Sequence, residues 1–353
     1  MKQALPRVWG ESSGSALIRC RPEDFQVTEE LDFVPEGEGE HAFIYLEKCR
    51  LNTPDVEERL ARLCGVASRD IGYSGLKDRN AVTRQWFSVG LAGRPEPDWQ
   101  QLHTEDDSLR VLEVTRHRRK LRRGVHRRNR FKLVLRDVQG SREAMHSRLE
   151  QIRKAGVPNY FGEQRFGRDG ANLGRALAWL RQQRRISRGR RSLYLSVLRS
   201  HLFNHLLAAR VQAGDWYLPR DGDVCMLQGS RSFFDCEHAD ADILQRAEAC
   251  DLHPGVPLWG KGVGDALVAR CSGVLETLEN SGEMTDFLQR SGPDLAWRAA
   301  RFLADDFSWQ FCDDGILQLD FALGAGSYAT ALVAEFVDYK EGQTEGGSAG
   351  ERG

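Results

Sequence analysis

Gly75-Leu76-Lys77-Asp78-Arg79-Asn80-Ala81-Val82-Thr83-Arg84-Gln85-Trp86 is a turn-rich segment followed by an apolar run, and its reading governs the rest of the chain. Residues 71–74 and 83–89 read as strands on either side of the turn. A carboxylate in such a turn is placed where a scaffold presents groups to a ligand. Lys77 and Arg79 flank Asp78, and Arg84 is close in sequence. Nearby cations favour an ionised carboxylate, so the spacing predicts a lowered pKa for Asp78. From spacing alone the segment fits both a catalytic aspartate and an ordinary exposed turn.

Working outward, residues 16–21 and 26–31 read as strands joined by the turn Pro22-Glu23-Asp24-Phe25, and residues 41–48 alternate as a strand does. A helix is expected from Thr53 as N-cap and Pro54 as its first residue, closed by Gly65. Another strand covers 131–136, with Phe131, Leu133 and Leu135 on one face, and a helix covers 141–155. After Gly156 the periodicity becomes helical over 171–185, 192–212, 239–250, 265–280 and 294–304, interrupted by a hairpin-like stretch at 216–234. A strand pattern returns at 316–321, then Gly324-Ala325-Gly326-Ser327 and a helix over 328–337. Sheet, helices and sheet again imply an α+β protein with an inserted domain. The Gly-, Glu- and Ser-rich tail from Lys340 has too few apolar residues to fold and is expected to be disordered.

The formal charge of the 353-residue chain is −1, yet the charge is unevenly placed. Arg116–Arg130 contains no acidic residue, and residues 181–191 carry Arg184, Arg185, Arg188 and Arg190. Such runs suit a phosphate backbone; the plainer alternative is a solvated face. The eight cysteines include no C-x-x-C pair, which argues against a zinc site, and nothing resembles a secretory signal or an apolar span of ~20 residues. The expectation is a cytoplasmic protein without metal. Three motifs are set aside. The stretch 255–262 has Gly262 where a P-loop needs Ser or Thr, His201 and His205 lack the Glu of a zinc helix, and Gly324–Ser327 fits a phosphate cradle and an N-cap at Ser327 equally.

Four segments taken together resemble the TruD family of tRNA pseudouridine synthases. They are Pro22 to Glu29, Gly75 to Trp86, Val157-Pro158-Asn159-Tyr160-Phe161-Gly162-Glu163-Gln164-Arg165-Phe166-Gly167, and Gly326-Ser327-Tyr328-Ala329-Thr330. The likeness runs from about Leu17 to Val337. It implies a pseudouridine-synthase core with a mostly antiparallel sheet flanked by helices, over 1–155 and 302–339, and an inserted helix-rich domain over 156–301, leaving 340–353 as the tail. It implies isomerisation of a tRNA uridine, in this family at position 13, with no metal and no organic cofactor; a monomer with no nucleotide cofactor and no membrane is expected beside it. The family's aspartate corresponds to Asp78, and its substrate contacts to Phe25, Asn129 and Tyr328, the last a Phe in some relatives. Arg19 stands where other relatives have Lys. Phe131 is expected to take the base-stacking role that Tyr has in other pseudouridine synthases.

Overall fold

The computed structural model describes residues 5–182 and 184–342. The chain begins with β1 (Gly14–Ile18), β2 (Phe25–Leu31), β3 (His41–Cys49), α1 (Thr53–Cys64), β4 (Ile71–Tyr73), β5 (Val82–Gly90), β6 (Leu109–His117) and β7 (His126–Gly140). It continues with α2 (Arg142–Ala155), β8 (Val157–Pro158), α3 (Glu163–Phe166), α4 (Ala171–Gln182), α5 (Arg188–Ala213), β9 (Asp223–Leu227), β10 (Phe233–Cys236) and α6 (Ala241–Glu248). Then come β11 (Leu252–Leu258), α7 (Asp265–Leu275), α8 (Ser281–Ser291), β12 (Ala296–Ala299), β13 (Arg301–Phe302), β14 (Asp305–Cys312), β15 (Ile316–Gly324), α9 (Ala329–Ala334) and β16 (Asp338–Glu341).

These elements form two units, the mixed α+β architecture expected. One comprises Ser13–His146, Ala304–Gly326 and the chain from Val337. Its sheet runs β14-β15-β7-β2-β5-β3-β6, with β4 on β5 and β1 joining β7 to β16. Most pairings are antiparallel; β2–β5 and β1–β16 are parallel. The long strand β7 alternates as the sequence predicts, burying Phe131, Leu133 and Leu135, and Phe131 sits in register between Val27 and Phe321. Helix α1 buries Val56 and Leu60 in the same apolar cluster as Ile44, Phe87 and Val89. Such close packing is the main favourable term holding helix to sheet. Gly65 ends α1 at φ 60°, a left-handed conformation that suits glycine.

The other unit comprises residues up to Ser12, Ser147–Leu303 and Ser327–Phe336. Its centre is the 26-residue α5, whose Leu198, Leu202, Phe203 and Leu207 are fully buried. Leu5, Val8 and Trp9 pack on the same cluster. A second sheet runs β10-β9-β11-β12, and β8 pairs with β13. At the entry to this unit Gly156 has φ 75°, and a Cβ there would lie 2.4 Å from the Phe302 carbonyl oxygen, so both conformation and space demand glycine.

The structure corrects five local expectations. Residues 294–304 form β12 and β13 rather than a helix. The edge of β11 offers unpaired backbone groups, and pairing Leu258 with Ala296 through Gly255 with Ala299 overrides the helical propensity of that segment. The helix expected over 265–280 ends at Leu275, and a separate α8 follows. The N-cap of α1 is Asn52, whose backbone N–H donates to Asp55 Oδ2 at 2.8 Å, with Thr53 and Pro54 inside the first turn. Tyr328, not Ser327, occupies the N-cap position of α9. Lys340 and Glu341 lie in β16, while residues 343–353 of the expected tail lie outside the described residues. Among the described residues no helix is long and apolar enough to cross a membrane.

Candidate active site

Asp78 lies in the loop between β4 and β5, and buried polar side chains hold that loop. Lys48, 1% exposed at the end of β3, donates from Nζ to the backbone oxygens of Asp78 and Leu51, both at 2.8 Å. Thr53 Oγ1 accepts from the Lys77 N–H at 3.0 Å and donates to Gln85 Oε1 at 3.1 Å. Gln85 Nε2 in turn donates to the Gly75 carbonyl at 3.2 Å. The hydroxyl expected to cap α1 is therefore spent on the loop. Buried backbone groups need partners, and here side chains from β3, α1 and β5 provide them.

The cations around the Asp78 carboxylate are not the three nearest in sequence. Arg84 pairs with Glu47, Arg79 donates to the Arg50 carbonyl, and Lys77 reaches away to Glu29. Arg19 does the work instead: its Nη2 lies 3.2 Å from Asp78 Oδ2 and its Nη1 2.7 Å from Glu341 Oε1. The guanidinium also covers the Phe25 ring, 4.1 Å from its centroid. Arg19 adopts φ 56°, a left-handed conformation that costs a non-glycine residue about 1–3 kcal/mol. The surrounding ladder and ion pairs hold it there.

Asp78 keeps 21% of its side chain exposed. Burial nonetheless pushes its carboxyl above the usual carboxylate value, while Arg19 and then Lys48 pull it down. The lowered pKa read from the sequence is thus reversed, because desolvation outweighs the cations. Burial also draws Lys48 down to about 8.

A second carboxylate, Glu29, lies on β2 with its side chain fully covered. Its Oε2 accepts from Lys77 Nζ at 2.8 Å and from the Ser74 hydroxyl, and its Oε1 accepts from the Trp86 N–H at 3.2 Å. Lys77 Nζ also donates to Asn129 Oδ1 at 2.8 Å. Asn129 thereby joins the Asp78 loop. Phe25 meets the edge of Phe131 at 6.1 Å, and Phe131 stacks on Phe321 at 5.5 Å. At 8% exposure, with one face on Phe321, Phe131 is mainly a wall of the core.

Arg19, Phe25, Asp78, Asn129 and Phe131 thus belong to one unit; Asp78, Arg19, Phe25 and Phe131 are linked side chain to side chain, and Asn129 is joined to the loop through Lys77. Tyr328 belongs to the other unit. There its ring meets the edge of Phe161 at 6.0 Å, and a Cβ on Gly162 would come 3.1 Å from the tyrosine ring. Arg298 stacks over the opposing Phe161 ring at 4.2 Å and donates to the Asn159 carbonyl at 3.1 Å. Of the three motifs set aside above, the histidine pair is accounted for at His205, whose Nε2 bonds Val274 O and Thr277 Oγ1. The first half of the pseudo-P-loop, residues 255–258, falls in β11. Sequence reading missed Glu29, Lys48, Thr53, Gln85 and Glu341 as parts of the site. Buried polar partners of this kind come together only through the sheet register and have no spacing signature.

Comparison with known proteins agrees with this architecture. The model of the family tRNA pseudouridine synthase D (TruD) matches residues 8–177 and 172–336. The tRNA pseudouridine synthase D of Methylococcus capsulatus is 46% identical over 338 residues, 95% of this chain and 94% of that protein. That of Azotobacter vinelandii is also 46% identical, with 94% of each chain covered. A crystal structure of a Methanosarcina mazei protein that carries the TruD name superposes with a TM-score of 0.65 at 19% identity, covering 94% of this chain and 95% of that one, and so supports the fold. The chain belongs to the TruD family.

Proposed function

We propose that this protein isomerises a tRNA uridine, at position 13, to pseudouridine, with Asp78 as the attacking carboxylate. The observation that carries the reading is the Asp78 carboxylate itself, partly exposed and clamped by Arg19 in a chain of this family. A nucleophile must be reachable and able to ionise. Among the described residues the Asp78 carboxylate has one hydrogen-bond donor, the Arg19 guanidinium, which stabilises the charged form.

In the reaction the bond between N1 and C1′ breaks and one between C5 and C1′ forms. The C5 proton is released, and N1 gains a proton. Asp78 acts by attack at C1′, by attack at C6, or by removing the C2′ proton. The target nucleotide has to leave its stack, which costs a few kcal/mol. Phe25, Asn129 and Phe131 are the groups assigned to hold the base, and Tyr328, in the other unit, is assigned a substrate contact of its own. Residues 1–155 and 302–339 are assigned to catalysis and 156–301 to the inserted domain, in a cytoplasmic monomer that needs no cofactor.

Phosphate contacts are assigned to residues 184–190. Arg184, Arg185, Arg188 and Arg190 are exposed, and no ion pair to them occurs among the described residues. Like charges so close repel unless a polyanion neutralises them. In the other basic run four arginines have carboxylate partners, Arg116 with Glu96, Arg118 with Glu36 and Glu38, Arg128 with Glu30, Asp305 and Asp306, and Arg130 with Asp306 and Asp320, while Arg119, Arg122, Arg123 and Arg127 are exposed with no ion pair among the described residues and are assigned to phosphate as well.

The test is a tRNA transcript incubated with wild type and with Asp78→Asn, followed by mapping of pseudouridine. Wild type is expected to convert position 13 and the variant to leave it as uridine. Conversion elsewhere would refute the position, and conversion by the variant at the normal rate would refute Asp78.

A further inference from the structure

Asn129 carries an amide whose two ends are nearly indistinguishable by shape and opposite in hydrogen-bonding sense. Its neighbour removes the ambiguity. An ammonium has three donors and no acceptor, so only Oδ1 can face Lys77 Nζ, at 2.8 Å. A flip would set N–H against N–H. The lysine cannot swing away, because the same Nζ is 2.8 Å from Glu29 Oε2 and its side chain is 5% exposed. Glu29 is fixed in turn by Ser74 and by the Trp86 N–H. Asn129 Nδ2 is left as the outward end. No hydrogen bond from it to another group occurs among the described residues, and it is not among the buried unsatisfied atoms.

We infer that Lys77, held by Glu29, is a specificity-positioning residue that locks Asn129 as a hydrogen-bond donor, so that the site reads a carbonyl oxygen of the base. Uracil offers two such acceptors, O2 and O4, and one donor edge, N3–H. A freely rotating asparagine could serve any of them. A locked one rejects a donor, including the exocyclic amine that cytosine has in place of O4. Specificity built in this way acts by leaving a polar group opposed or unpaired with the wrong base. The inference rests on the proposed activity and assigns polarity within that site.

The test uses tRNA transcripts carrying uridine, 2-thiouridine or 4-thiouridine at the target, because sulfur is the poorer acceptor. Wild type on uridine comes first. If it forms no pseudouridine, the proposed activity fails and the inference falls with it. With wild type active, Asn129→Asp is expected to lose about tenfold or more in kcat/KM, equal to ~1.4 kcal/mol. It keeps the contact to Lys77 but turns an acceptor to the base. Folding is checked by its melting curve, which the retained lysine contact leaves intact. Wild type should discriminate against one thio-substituted substrate, and which one names the oxygen read. Lys77→Met should lose that discrimination while converting uridine slowly. Asn129→Asp as active as wild type, or equal thio discrimination by wild type and Lys77→Met, overturns the inference. If Lys77→Met does not fold, Asn129→Asp and the wild-type thio series decide alone.

Discussion

Asp78 and Glu29 are two carboxylates on neighbouring parts of one sheet unit, and they are treated in opposite ways. Glu29 is fully covered, and its oxygens accept from an ammonium, a hydroxyl and a backbone N–H. Asp78 is partly exposed and has one guanidinium at 3.2 Å. A saturated carboxylate has nothing left to offer a substrate and is a structural tie. An unsaturated one is costly to keep, and burial raises its pKa. The contrast separates an available carboxylate from a saturated one more sharply than residue type does.

The strongest way to break that contrast is to neutralise each acid. Asp78→Asn should lower pseudouridine formation by about 10³-fold or more, measured as product per tRNA over time. Its melting temperature should not fall. The sign follows from the raised pKa: the folded state disfavours the Asp78 charge, so ionisation above the unfolded pKa destabilises the fold, and a neutral side chain removes that penalty. Glu29→Gln should behave in reverse, losing about 3 kcal/mol in denaturant unfolding because Lys77 is left buried and unpaired. Equal loss of stability in the two variants would erase the distinction.

A subtler test uses pH. The acid limb of kcat/KM should lie above the ordinary aspartate value of ~3.9, and Arg19→Gln should move it higher by removing the attraction that favours the charge. Activity should decline again as pH rises through about 8, where Lys48 loses its proton. Lys48→Met should lack that alkaline limb. The smallest effect is expected far from either acid. Exchanging Arg188 and Arg190 for Gln should raise KM for tRNA a few-fold and reduce the salt dependence of binding by ~0.9 per lost phosphate contact. The same exchange at Arg128 and Arg130, whose charges are already paired, should change the salt slope less.

Much of this was legible in the sequence, for local reasons. The alternation at 131–135, the turn around Asp78 and Gly65 at a helix end are short-range patterns. Asp78 could be singled out because a familiar string surrounds it. Its electrostatic surroundings could not be read, because Arg19 and Lys48 arrive from other strands while Lys77, Arg79 and Arg84 turn elsewhere. The same holds for β12. Residues 296–299 are strand because β11 lies beside them, and sequence periodicity carries no information about a neighbour. In the basic run at 116–130 the sequence could not say which charges the fold would answer: Arg116, Arg118, Arg128 and Arg130 meet carboxylates, and exposed Arg119, Arg122, Arg123 and Arg127 meet none among the described residues.

The clamp on Asp78 has one more consequence. Arg19 is steadied by Glu341, 322 residues further along the chain, where β16 lies parallel to β1. While position 341 is still inside the ribosome, the guanidinium lacks its second anchor and the neighbouring strand is missing. A growing polypeptide therefore carries Asp78 long before its partner can be anchored, and the finished clamp reports that translation has passed β16.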